Sequence, residues 1–215
     1  KNGQVVTSES HYKDMILKSQ EEIKPIFMDL FDNLLFNYTH NKLYNTQFLK
    51  SNNLKFIEWL PIDQDTNFNI DVFRKLNKLT ISTKSYYHYV KTFEETIVTR
   101  YHANKFKVRT FRYDRLKQLL MDWGIYNEEN KRKLASMYIH HVIECFEIYN
   151  HEKCNLNLSD KKREIEKILD TEQVSECIKV LDRTNSFYTN MVFKQMKGKR
   201  VNRIYSVTRL KRILK

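Results

Sequence analysis

Three glycines and two prolines in 215 residues leave this chain very few places to turn sharply. Sandwiches and barrels need many tight turns, and Gly and Pro supply the backbone conformations those turns demand. A chain this poor in both is expected to be built mainly of helices. Its length suffices for one sizeable domain or two small ones with a buried core. Hydrophobic residues at 41% and aromatics at 13% exclude a disordered polyelectrolyte. No apolar run approaches the roughly 20 residues that cross a bilayer, and KNGQVVTSES at the start contains no signal-peptide core. Cys145, Cys154 and Cys177 are odd in number and widely spaced, without a CxxC pair. They read as reduced thiols of a cytosolic protein.

Charge is unevenly spread. Residues 194–215 hold nine basic side chains and no acidic one, most of the net +12. Any polyanion this chain meets is therefore expected to meet the tail.

Helix signals are frequent. Residues 19–36 begin with Ser19 and a Glu pair, a capping pattern, and continue with apolar residues at helical spacing. Residues 41–53 read as a short helix ended by two Asn, and 65–77 as a helix with Ile70, Phe73 and Leu76 on one side. Residues 54–60, 78–83 and 85–91 have strand composition. The first 90 or so residues thus alternate helix and strand, as α/β layers do. Beyond Phe93 the chain reads as helical throughout: 104–124 stopped by Gly124, 127–151 begun by Asn127, then 158–170 and 171–184, each begun by a Ser or Thr. Aromatic, Met and aliphatic residues at 111, 119, 120, 123, 137, 138, 142 and 146 form core stripes, while His140 and His141 read as a helical surface pair. The domain boundary is expected within residues 92–103.

The order of short motifs over residues 35–90 resembles the second half of the catalytic domain of bacterial family 2 glycosyltransferases. The residues that carry this are Asn41-Lys42-Leu43-Tyr44, Phe56, Asp65 with Phe68 and Asn69, and Tyr86-Tyr87-His88-Tyr89. Where the family shows Glu-Asp, this chain has Gln64-Asp65. The resemblance implies that residues 1–95 are the acceptor-side half of a GT-A-like α/β domain, followed by an all-helical region over 96–215. The family's nucleotide-binding half, with its metal-binding Asp-x-Asp, is expected upstream of residue 1, so this chain alone is expected to be an inactive fragment. The implied activity is transfer of a sugar, with inversion, from a nucleotide-sugar donor to a glycan or lipid-linked acceptor in cell-surface polysaccharide synthesis. A divalent metal, Mg²⁺ or Mn²⁺, would belong to the intact enzyme, with no ligand assigned within this chain.

Within that frame Asp65 is the expected base, since a carboxylate in reach of the acceptor hydroxyl can take its proton as the new bond forms. A position at a helix N-terminus favours the ionised form. Two other readings of Asp63-x-Asp65 stay open: a hard-cation site of the spacing this enzyme class uses, and a helix cap without chemistry. Asp63, Gln64 and Trp59 are expected at the acceptor, Trp59 by stacking on a sugar face. His88, Lys91 and Arg100 are expected near the diphosphate, where a cation offsets leaving-group charge. The basic tail suits an amphipathic helix on an anionic membrane, which implies a cytoplasmic protein peripheral to the inner membrane face. The rival classes are a basic nucleic-acid-binding module, suggested by an isoelectric point of about 9.5, and a non-catalytic interaction protein. No helix-turn-helix, zinc or RNA-binding motif favours the former, and nucleic acid is not an expected partner.

Overall fold

The structure, a computed structural model, describes residues 12–87, 90 and 100–213. The protein is mainly helical and divides into two compact units, Lys1–Glu94 and Glu95–Lys215.

The first unit opens with strand β1 (Met15–Leu17) and helix α1 (Gln20–Ile23). Ser19 caps α1 by accepting from the Glu22 N–H at 3.3 Å, and the Glu22 carboxylate accepts in return from the Lys18 N–H at 2.7 Å. Pro25 has no N–H to give an α-turn, and the chain passes through a 3-10 turn, Lys24–Ile26, before α2 (Phe27–Asp32). Helix α3 (Thr46–Ser51) is capped by the Asn45 side chain, which accepts from Phe48 N–H. Helix α4 (Gln64–Lys75) is the core element of this unit, with buried residues on most of its circumference. Ile70 and Phe73 enter the core as expected, but Leu76 is the C-cap and only part-buried. Strand β2 (Leu79–Ile81) then runs antiparallel to β1, with Met15 opposite Ile81 and Leu17 opposite Leu79. The centre is aromatic: Phe36 packs edge-on against Phe27 and Phe73, each at 4.9 Å between ring centroids.

The expected helix–strand alternation is not what this unit shows. Among the described residues its sheet is only that pair of three-residue strands. Residues 54–60 form turns, and 85–87 form no strand. The physical reason at 54–60 is twofold. Pro61 offers no ladder hydrogen bond, and Phe56 spends its β-favouring side chain in a parallel stack on Phe68, 4.4 Å away.

The second unit is a helical bundle: α5 (Lys105–Asp122), α6 (Glu128–Ile148), α7 (Leu158–Leu169), α8 (Glu172–Val180), α9 (Phe187–Lys197) and α10 (Val201–Ile213). Helix α6 is the hub and packs against α5, α8, α9 and α10. Gly124 stops α5 at φ 69°. Its N–H reaches Met121 O and the Ile125 N–H reaches Leu120 O, the paired closure that a left-handed residue permits. Asn127 caps α6. Asn157 caps α7, two residues ahead of the expected Ser159. Thr171 stands at the N-cap of α8, but its hydroxyl donates to Ile168 O instead. Leu119, Leu120, Trp123, Tyr138, Val142 and Phe146 are buried, and Tyr113 stacks on Tyr138 at 4.3 Å. The three cysteines are buried and none is in a disulfide.

One correction lies between α5 and α6. His140 is exposed, but His141 is not a surface residue: its Nδ1 lies 2.9 Å from Nη2 of Arg112, a residue only 6% exposed. Burial, then the charges of Arg112, Arg109, His140 and Lys105, hold the His141 imidazole well below its usual range. Glu144 is the carboxylate facing this cluster, with Lys105 at 3.5 Å and Arg109 at 3.3 Å. Burial alone would raise its pKa, yet the His140 hydrogen bond and the Lys105 and Arg109 charges outweigh it and hold the carboxyl at about 2. A base depressed in the folded state leaves the unfolded chain to bind the proton first. Its contribution is complete above about pH 6.5 and is lost as pH falls below that value. Urea unfolding of His141→Gln should therefore lose about 1–2 kcal/mol less between pH 7 and pH 5 than the wild type does. Equal losses would contradict this.

Candidate functional site

Asp65 lies in the first turn of α4, where backbone N–H groups and the helix dipole favour negative charge. Two buried anchors, Leu60 and Ile62, fix the loop that delivers it. Asp63 occupies the N-cap with φ 62°, a left-handed conformation that Asp tolerates better than most residues, and its side chain does not cap the helix. Gln64 is exposed, and its Nε2 donates to Leu60 O at 2.7 Å, which ties the loop to the helix start.

The start of α4 is sewn to the segment 36–44 by three residues. Asp65 Oδ2 accepts from the Thr39 N–H at 3.2 Å. Thr66 donates its hydroxyl to Asn37 O at 3.2 Å. Asn69, fully buried, donates to Phe36 O at 2.7 Å and Tyr38 O at 3.2 Å, and its Oδ1 accepts from the Tyr44 hydroxyl at 2.6 Å. A buried amide with every contact matched in this way is a positioning device, because leaving any of these groups unpaired is costly. The Lys42 amine closes the same loop from within, donating to Leu35 O, Tyr38 O and Asn41 Oδ1. Phe68 is held between Phe56 and the edge of Tyr44, 5.6 Å away. Lys42, Tyr44, Phe56, Asp65, Phe68 and Asn69 thus gather at the first turns of α4, while Asn41 and Leu43 of the same run are exposed.

The field there is set by few charges. Burial lowers the Lys42 amine to about 7, against the opposing pull of Asp65. Burial likewise lowers His40, with Asp65 opposing and Lys42 assisting. Burial, then the Asp65 charge, raises the Tyr44 phenol far above its usual range, so it stays a neutral donor. Asp65 is half-buried, and among the described residues its Oδ1 takes no hydrogen bond. An oxygen so placed can accept a proton from a molecule outside.

An aromatic stack adjoins this turn, and the sequence reading missed two of its members. Tyr38 lies on His40 at 5.0 Å and His40 on Tyr87 at 4.6 Å, with the two tyrosines 42% and 53% exposed. The signal available was position: His40 directly precedes the Asn-Lys-Leu-Tyr run. Trp59, expected on a strand, stands 46% exposed in a turn. Arg100 is exposed and belongs to the second unit, while His88 and Lys91 lie outside the described residues. Among the described residues no three His, Cys, Asp or Glu side chains are grouped to hold a metal ion. Compared with known proteins, the chain gives no significant match to a family model, a curated protein or a solved structure.

Proposed function

We propose that the first unit is the acceptor-side half of a family 2 type glycosyltransferase domain, acting on a nucleotide-sugar donor with inversion. The observation that supports it most is the gathering of Lys42, Tyr44, Phe56, Phe68 and Asn69 around a half-exposed Asp65 with one open oxygen. In that reaction the acceptor oxygen bonds to the anomeric carbon while the bond to the nucleoside diphosphate breaks, and Asp65 takes the hydroxyl proton. The Tyr38–His40–Tyr87 stack offers an aromatic face to a sugar ring, as Trp59 does from its turn. Asp63 and Gln64 shape the acceptor loop. His88 and Lys91, which lie outside the described residues, are the groups proposed for the leaving diphosphate. A Mg²⁺ or Mn²⁺ ion would be held by a ligand outside this chain, and no step derived from these residues runs through it.

Acceptors that are glycans or lipid-linked suit a cytoplasmic protein peripheral to the inner membrane face. No helix among the described residues is long and apolar enough to cross a membrane, and the basic end of the chain provides the membrane contact. The test is a donor screen. The protein, expressed with whatever its native reading frame places before Lys1, is given UDP-, GDP- and dTDP-sugars with saccharide acceptors, and nucleoside diphosphate release is followed. One donor class should give release that rises with an acceptor. Neither release nor binding for any donor would oppose the proposal.

A further inference from the structure

The basic tail is not one amphipathic helix over 197–215. Lys197 ends α9, and a left-handed Lys199 at φ 47° turns the chain before α10 starts at Val201. Helix α10 is then fixed on the bundle by its inner face. Ile204 and Thr208 are buried, Thr208 accepts from the Asn150 amide at 3.0 Å, and Lys211 pairs with Glu147 at 2.6 Å over the ring of Tyr188. With Lys211 drawn inward, the i, i+3 and i+4 relations put Tyr205, Arg209, Arg212 and Ile213 together on the other side.

These four residues form one wall of an open groove of about 500 Å³, and the first turn of α7 supplies Leu158 and Lys161 opposite them. No carboxylate lines it. Lys161, Arg209 and Arg212 make no ion pair among the described residues, in contrast to Lys211. Large aliphatic side chains stand exposed at the same place: Leu158 and Ile213. Three cations without counter-charge call for an anion. Exposed Leu and Ile beside them gain nothing from a nucleic-acid backbone, but they do gain from the acyl boundary of a bilayer. Tyr205 is of the type that settles at headgroup level.

We propose that the groove between the first turn of α7 and the last turns of α10 seats the phosphate headgroup of an anionic lipid. This deepens the membrane-surface part of the proposed function and needs nothing of the sugar transfer. A protein that binds vesicles without transferring sugar, or the reverse, separates the two failures.

Co-sedimentation of the full chain with vesicles of phosphatidylglycerol and phosphatidylcholine, against pure phosphatidylcholine, tests it. Binding should require the anionic lipid. Each Lys or Arg near such a surface contributes about fivefold in affinity, so Lys161→Gln with Arg209→Gln and Arg212→Gln should weaken it roughly 100-fold. A control triple of exposed cations elsewhere, Lys50→Gln with Lys55→Gln and Lys179→Gln, removes the same net charge and should change affinity less than about fivefold. Matched circular dichroism spectra establish that both triples fold. Equal losses in the two triples would mean diffuse charge and overturn the site. So would binding to a DNA duplex with none to anionic vesicles.

Discussion

Phe73→Ala should cost the first unit about 3–5 kcal/mol, enough to unfold a marginal domain. Phe73 is buried on α4 and meets Phe36 at 4.9 Å and Phe27 at 5.8 Å, so truncation removes one corner of an aromatic triangle. The remaining rings, Phe27 on α2 and Phe36 in the turn after it, are edge-on and cannot move in without losing their own contacts. The loss also reaches the site, because Phe36 carries the carbonyl that receives the Asn69 amide one turn from Asp65. Urea unfolding resolves it if the two units melt separately. The first-unit transition should shift to much lower urea while the helical unit keeps its midpoint. A change below about 1 kcal/mol would mean that the triangle is not the core of that unit.

What the amino-acid order made legible is the local chemistry of helices. Ser19 and Asn127 cap as expected, and Gly124 ends α5 because only a left-handed residue closes that turn at low cost. Strand composition was less informative. Residues 54–60 favour extended backbone, but a strand exists only with a partner. Here the apolar residues are used otherwise, Phe56 against Phe68 and Leu60 in the core. His141 was misplaced because one helix position separates a solvent face from the α5 interface, and the partner that decides it, Arg112, is 29 residues away. At the site, Asp65 could be singled out from its motif. Its setting could not: the Thr39 N–H and the His40 stack come from a loop whose path is tied to α4 by tertiary hydrogen bonds, those of the Asn69 amide among them.

The effect expected to be largest for function is that of Asp65→Asn. The substitution is nearly isosteric, and the amide oxygen can still accept from the Thr39 N–H, so the loop keeps its clasp. The folding cost should stay at about 1 kcal/mol or less, the worth of a charge in a helix's first turn. What is lost is the ability to accept a proton, and a positioned general base contributes roughly 10²–10⁴-fold in rate. Donor affinity should be unaffected, because the role proposed for Asp65 is toward the acceptor hydroxyl alone.

The decisive measurement sets kcat for nucleoside diphosphate release beside donor Kd and melting temperature, for wild type and Asp65→Asn, in the protein carrying its native upstream sequence. The expected result is kcat lower by roughly 100-fold or more, with Kd and melting temperature essentially those of the wild type. Turnover at the wild-type rate in the folded variant would contradict the assignment of Asp65 as the group that receives the acceptor's proton.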